Sequence, residues 1–328
     1  MTDTARQRVA VIDDWQEIAQ RCADWTPLTS RADVQFFAEP FSSADDAAHT
    51  LAPFDIVLAT RERTPFPAAL SKRLPKLKMF GLTGARAALV DVAAMIDRGV
   101  TVCYTGGGPS GASTAEIALG LMLAAARRIP AGDASVRAGT FQRGVPFGFS
   151  LSGKTVGLIG LGRIGALMAR YCRALDMHAL AWSPHLTDEK AATAGARRVA
   201  KEELLAASEV VSLHLVLSDS TRGIVGASDF ARMKNGAILV NTARAGLIDE
   251  SALIAEVQRG RIIAALDVFS VEPLPASHPL ARAANTVLTP HLGYSALEVY
   301  QEYYRHSVEN ASAFLDGKPI RVLGRPAG

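Results

Sequence analysis

Apolar and polar positions alternate along this chain in the rhythm of short buried strands separated by helices. Val9-Ala10-Val11-Ile12 is an unbroken apolar run ending on Asp13-Asp14, and similar runs follow at Val34 to Ala38, Asp55 to Ala59, Leu77 to Leu82 and Val100 to Cys103. Helix-like stretches lie between them at Ala44 to Leu51 and Val92 to Arg98. Short apolar strands alternating with helices predict a parallel α/β sheet. Gly106 to Gly111 breaks the pattern, as a hinge or linker would. A longer helix is predicted next, with Ser113 and Glu116 spaced as a capping box, Arg127-Arg128 in its last turn and Pro130 beyond it. Gly132 to Gly153 is polar and reads as a connecting segment.

The pattern then restarts. Thr155 to Gly165 passes from an apolar run into a glycine-spaced loop, followed by helix-like Ala166 to Leu175 and a second strand, Met177 to Trp182. Strand, tight turn and helix are the context in which GxGxxG binds a dinucleotide. Gly160 permits the turn, Gly162 allows close approach of a pyrophosphate, and Gly165 lets helix and strand pack, while the helix start offers free N–H groups to the phosphates; Arg163 and Ile164, inside the fingerprint, are expected at the cofactor. Further strands are predicted at Val210 to Leu215, Ala237 to Val240, Ala264 to Phe269 and Thr286 to Leu288, with helices at Lys201 to Ala207, Ala227 to Met233, Glu250 to Arg259 and Ala296 to Leu315. The expected fold is α/β, with two doubly wound parallel-sheet domains. A nucleotide-binding (Rossmann) domain, residues 105–294, is inserted into a flavodoxin-like substrate domain formed by residues 1–104 and 295–328, with the active site expected in the cleft between them.

Composition narrows the function. The 328 residues are 49% apolar and 20% charged with a net charge of +3, and the cations are scattered, which argues against nucleic acid or a membrane as partner. Cys22, Cys103 and Cys172 are odd in number and far apart, without a CxxC pair or a His cluster for a metal, so a reduced compartment is expected. Met1 to Arg8 is polar and the apolar run Ile117 to Ala126 is too short to span a bilayer, which together predict a cytoplasmic protein without a leader.

In an open parallel sheet, ligands sit beyond the carboxyl ends of the strands. Three such ends carry chemistry here: Asn241-Thr242-Ala243-Arg244, then Asp267 with Glu272 shortly after, then Pro290-His291. An arginine, a carboxylate and a histidine therefore share one rim. His214, at the end of another strand, is expected to line the cofactor cleft and not to act as a base.

These stretches, with the fingerprint and Thr289-Pro290-His291-Leu292-Gly293, resemble the signatures of the NAD(P)-dependent D-isomer-specific 2-hydroxyacid dehydrogenases over nearly the whole chain. The resemblance implies catalytic roles for Arg244, Glu272 and His291, the inserted-domain architecture, the D stereochemistry and a homodimer. The chemistry agrees. Reducing a 2-oxo acid places charge on its carbonyl oxygen, which an imidazolium can neutralise with a proton while a nicotinamide supplies hydride to carbon. A carboxylate such as Glu272 hydrogen-bonded to His291 favours that imidazolium, and Arg244 presents a planar fork to the substrate carboxylate. Thr242 and Ala243 are expected at the cofactor, and Asp267 at the nicotinamide carboxamide.

Three positions depart from the family pattern. The substrate loop, ordinarily Gly-Ala-Gly-x-Asp, is Gly84-Ala85-Arg86 here, so a cation enters it; the alternatives are a surface arginine or a second anion site. Ala245 stands where glycine commonly follows the arginine. At the end of the second nucleotide-domain strand, an NAD-selective fold places an acid that repels a 2′-phosphate, whereas this chain has Ser183, with His185 and Thr187 as possible donors. The cofactor expectation is NAD(P)(H), tilted toward NADPH, with a small 2-oxo or 2-hydroxy acid as substrate. The rival readings are a non-enzymatic NAD(H)-sensing or corepressor-type protein on the same fold, and formate dehydrogenase chemistry, which goes with glutamine where Glu272 stands.

Overall fold

The structure is a computed structural model and describes residues 6–85 and 89–324. It contains two compact units: residues 1–109 together with 296–328, and residues 110–295.

The first unit is built on β1 (Gln7–Ile12), β2 (Ala32–Phe36), β3 (Ile56–Ala59), β4 (Met79–Leu82) and β5 (Thr101–Tyr104). They form one parallel sheet in the order β2-β1-β3-β4-β5, the flavodoxin-like order. Every residue of the central strands β3 and β4 is buried, which is why they read as continuous apolar runs. Phe54, Phe66, Leu74 and Phe80 fill one core of this unit. The helix Ala44–Leu51 begins where Ser43 Oγ accepts the Asp46 N–H at 3.1 Å, with Asp45 and Asp46 in its first turn.

The second unit carries β6 (Thr155–Ile159), β7 (His178–Trp182), β8 (Arg197–Arg198), β9 (Val210–Leu213), β10 (Ala237–Asn241), β11 (Ile262–Leu266) and β12 (Thr286–Leu288). All pairings are parallel, in the order β12-β11-β10-β9-β6-β7-β8. The order reverses between β6 and β9, the switch point where such sheets bind nucleotides. Alternate side chains divide between two cores. Val156, Leu158, Ile238 and Val240 pack with the alanine-rich helix Ser110–Arg127 on one face, and Ile159, Leu213, Leu239 and Leu266 lie in the core of the other.

Several sequence expectations need correction. The Ser113/Glu116 capping box does not form, because the helix starts at Ser110 and Ser113 already lies within it, its hydroxyl bonded elsewhere. The connecting segment Gly132 to Gly153 contains much of a helix, Ile129–Arg137: Arg128 adopts φ 54° and turns the chain, and Pro130 then occupies a first-turn position where its missing N–H costs nothing. The fingerprint helix begins at Arg163 and not at Ala166, and the helix at Ala227 ends at Phe230. β9 and β11 stop at Leu213 and Leu266, leaving His214 and Asp267 just beyond the sheet. Elements not anticipated include β8, the helices Ala68–Ser71, Asp188–Thr193 and Pro279–Arg282, and the 3-10 turn Ala245–Leu247. Among the described residues no helix is long and apolar enough to cross a membrane.

Candidate active site

The glycine turn is set by sterics. Gly160 has φ 99°, and a Cβ there would stand 2.7 Å from the His214 backbone carbon, so only glycine fits without displacement. A Cβ on Gly165 would stand 2.2 Å from the Gly160 carbonyl oxygen, which fixes how closely the helix Arg163–Ala174 seats on β6. Gly162, the N-cap, is exposed, and a Cβ on it would meet nothing. This leaves an open cradle in front of the first-turn N–H groups, which fits a pyrophosphate. Arg163 is exposed with its guanidinium against Gly111, and Ile164 packs on the core.

The remaining cofactor-side candidates are spread along the strand ends. Ser183 is half-buried and its carbonyl accepts the Leu186 N–H at 3.2 Å, closing a turn that leaves His185 exposed. Thr187 Oγ1 caps the helix Asp188–Thr193 by accepting the Lys190 N–H. His214 Nε2 lies 2.9 Å from Ser212 Oγ, and burial pushes its ionisation down to about 4, so it is neutral near pH 7.

Residues Asn241, Leu266 and Leu288 lie at the ends of three adjacent strands, with Asn241 in register with Leu266 and Leu266 with Leu288. The segments that follow therefore leave from one rim. After β10, Asn241 Oδ1 accepts the Ala243 N–H at 3.0 Å and its Nδ2 donates to the Arg244 carbonyl at 2.9 Å, a side-chain clamp that shapes the turn bearing buried Thr242, Ala243 and Arg244. Arg244 Nη1 donates to the Ala243 carbonyl at 2.7 Å.

After β11, Asp267 is fully buried. Its Oδ1 accepts from Thr289 Oγ1 at 2.6 Å and Leu292 N–H at 2.7 Å, and its Oδ2 accepts the Gly293 N–H at 2.8 Å. Burial raises its ionisation from the ordinary aspartate value, against the lowering effect of these bonds. Asp267 thus holds the His291 turn, and a carboxamide reaching it would have to share Oδ2, the oxygen with acceptor capacity to spare.

After β12, His291 adopts φ 54°, a left-handed conformation that costs a non-glycine residue about 1–2 kcal/mol and persists only where its surroundings impose it. Its Nδ1 lies 2.7 Å from Glu272 Oε2, while Glu272 Oε1 accepts the Phe269 N–H at 2.9 Å, so both oxygens of the carboxylate are engaged. The Tyr294 ring stands edge-on to the imidazole at 5.6 Å.

In the first unit, Gly84 has φ 74° and donates its N–H to Thr105 Oγ1 at 3.0 Å; Ala85 is exposed, and Arg86 lies outside the described residues. Sequence reasoning passed over Arg61, whose guanidinium lies against Gly84. It also misread Ser113 and did not single out Thr114, both of which donate to the Gly293 carbonyl. No local pattern reveals that contact, since its partners are about 180 residues apart in the chain.

Comparisons with known proteins place the chain in a family. The family model for the D-isomer specific 2-hydroxyacid dehydrogenase NAD binding domain matches residues 119–293. A D-3-phosphoglycerate dehydrogenase from Archaeoglobus fulgidus is 38% identical over 265 residues, 80% of this chain and 50% of that protein. The chain therefore spans about half the length of such curated relatives. Among solved structures, a phosphoglycerate oxidoreductase from Vibrio cholerae O395 is 35% identical with a TM-score of 0.90, covering 95% of this chain and 99% of that one. A glyoxylate reductase from Paecilomyes thermophila is 28% identical with a TM-score of 0.71, covering 99% and 100%.

Proposed function

This chain belongs to the D-isomer specific 2-hydroxyacid dehydrogenase family, and on that premise we propose that it transfers a hydride between a nicotinamide cofactor and a small 2-oxo acid or D-2-hydroxy acid. The observation that carries the proposal is the 2.7 Å contact between Glu272 and His291 on the rim that also bears Arg244.

When bound, the nicotinamide supplies hydride to the substrate carbonyl carbon. The chain's residues supply the rest. His291 turns Nδ1 to Glu272, so Nε2 is the nitrogen that delivers a proton to the carbonyl oxygen, and the carboxylate stabilises the imidazolium before delivery. Arg244 binds the substrate carboxylate through its fork and polarises the carbonyl. The glycine turn, Arg163, Ile164, Thr242 and Ala243 hold the dinucleotide, with neutral His214 behind the turn. Gly84 and Ala85 contribute to the substrate.

The substrate class we favour carries a second anionic group. Arg61 lies against Gly84, the sequence carries a further cation, Arg86, two residues after that glycine, and the Archaeoglobus relative is named for a phosphorylated acid. For the cofactor we favour NADPH, because Ser183 presents no charge to repel a 2′-phosphate. We further propose a cytoplasmic homodimer. Ile129, Val136, Phe141 and the fully exposed Phe147 are four of the ten exposed large apolar side chains among the described residues, and a second copy would cover them.

A spectrophotometric panel of 2-oxo acids, with and without a second anionic group, tested with NADH and NADPH, checks the reading. Consumption of reduced cofactor is expected, fastest with the anionic members. Cofactor binding without turnover on any member would favour a sensor.

A further inference from the structure

Two hydroxyls on the second-unit helix Ser110–Arg127 take no part in the reaction outlined above, yet both reach the turn that carries His291. Ser113 Oγ lies 2.9 Å from the Gly293 carbonyl oxygen and 3.1 Å from that of Ser110. Thr114 Oγ1 lies 2.8 Å from the Gly293 carbonyl oxygen and 2.7 Å from that of Ser110. Back-bonding to a carbonyl one helical turn earlier is ordinary for serine and threonine. It does not explain why two adjacent hydroxyls converge on one distant carbonyl. Each has a single proton, within reach of both the Ser110 and the Gly293 carbonyl oxygens, and the Gly293 oxygen has the two lone pairs needed to take both hydroxyls.

The same residue is gripped from its other side, where the Gly293 N–H donates to buried Asp267 Oδ2 at 2.8 Å. A Cβ on Gly293 would stand 3.2 Å from that oxygen and 3.3 Å from Thr114 Cγ2, so the residue sits between two walls. Two residues earlier, His291 holds its left-handed φ, and Asp267 also fixes Thr289 and Leu292 on either side of it. One edge of the turn is therefore tied to a carboxylate and the other to a hydroxyl pair.

We propose that Ser113 and Thr114 are positioning residues that, by holding the Gly293 carbonyl, lock the left-handed turn at His291 and so aim its imidazole. This rests on the reading of His291 as proton donor. Neither hydroxyl touches the reacting atoms; they act through the turn.

The test compares Ser113→Ala, Thr114→Val, the double variant, and Ser113→Ala combined with Thr114→Ser. Each single variant leaves one hydroxyl on the carbonyl and should lose about threefold or less in kcat. The double variant should lose tenfold or more in kcat, with KM for the cofactor within about twofold of the parent. Returning one hydroxyl as Thr114→Ser should restore the single-variant level, which a general loss of packing would not allow. A double variant as active as the parent, or no rescue by serine, overturns the proposal. Histidine-selective NMR gives a second reading independent of turnover, with the His291 signal identified by its disappearance in His291→Gln. That signal should shift in the double variant and return with Thr114→Ser; an unmoved signal overturns the proposal even if no 2-oxo acid is ever reduced. Should the double variant fail to fold, Thr114→Val alone must displace the signal, and no displacement is equally decisive against it.

Discussion

Glu272 and His291, 19 residues apart in sequence, meet at 2.7 Å between Oε2 and Nδ1, and the second carboxylate oxygen is tied to the Phe269 N–H. A carboxylate held in this way fixes both the direction of the ring and which nitrogen is left to react. His291→Ala should lower kcat by roughly 10²-fold or more, the usual contribution of a positioned general acid, with cofactor affinity retained. Glu272→Gln should lower kcat by less, because the ring keeps a hydrogen-bond partner and loses only the charge-assisted part of that bond. Steady-state kinetics from pH 5 to 10 on both variants checks this, and parent-like turnover in His291→Ala would end the assignment.

Arg244 is held by a turn built from Asn241, so its fork is placed by the backbone and not by a flexible loop. Arg244→Gln should cost on the order of 1.5–3 kcal/mol in kcat/KM, the worth of a charge-assisted bond to the substrate. Arg244→Lys should recover only part of that, since an ammonium keeps the charge and loses the planar fork. Full activity in the lysine variant would argue against two-point carboxylate binding.

Much of this was legible in the sequence, for identifiable reasons. Parallel strands buried on both faces leave continuous apolar runs, so β3, β4, β10 and β11 announced themselves. β8 did not, because a two-residue edge strand of exposed arginines has no apolar signature. The apolar Val268-Phe269 hid the end of β11, which is set by where the chain turns. Pro130 reads as a helix stop but opens the next helix once Arg128 turns left-handed. At the site, the reactive residue types and their strand-end placement were readable. The contacts beneath them were not: Asp267, Ser113 and Thr114 hydrogen-bond to the turn around His291 across distances that no spacing encodes.

Ser183 follows β7 without a charge, half-buried at the mouth of a turn. Ser183→Asp should depress kcat/KM for NADPH far more than for NADH, because a carboxylate there repels a 2′-phosphate and accepts from ribose hydroxyls. The parent's own ratio decides the preference: a kcat/KM for NADH more than tenfold above that for NADPH would refute it.

Asp13, at the end of β1, is buried with φ 65°; its Oδ1 accepts from Thr64 Oγ1 at 2.6 Å, and its other oxygen is buried without a hydrogen-bond partner. Burial pushes its ionisation up from 3.8 to about 6. Between those values the native state binds more protons than the unfolded chain, so this group's contribution falls as pH rises from about 4 to about 6 and stays low above that. Asp13→Asn removes the titration and keeps an acceptor for Thr64 in a residue type that tolerates φ > 0. Denaturant unfolding of the two proteins at pH 4 and pH 7 should show the asparagine variant gaining about 2 kcal/mol relative to the parent over that interval. A constant difference across the range would show that Asp13 does not titrate there.

Gly165 faces the Gly160 carbonyl so closely that Gly165→Ala must push helix and turn apart. Reduced-cofactor affinity measured by fluorescence titration should fall at least tenfold, while Gly162→Ala, whose Cβ meets no protein atom, should leave the fold intact and weaken binding only through contact with the ligand itself. Unaltered affinity in Gly165→Ala would contradict the placement of the dinucleotide at this turn.

The proposed reaction moves hydride from a nicotinamide to the carbonyl carbon of a 2-oxo acid. Isotope transfer tests it most directly: the protein is incubated with reduced cofactor deuterated at the transferable C4 position and with the 2-oxo acid it uses best, and the product is analysed by mass spectrometry and chiral chromatography. The expected product is a D-2-hydroxy acid carrying one deuterium at C2, with the label lost from the cofactor in equal amount. A hydroxy acid without deuterium, or bound cofactor that keeps its label with every 2-oxo acid offered, would contradict it.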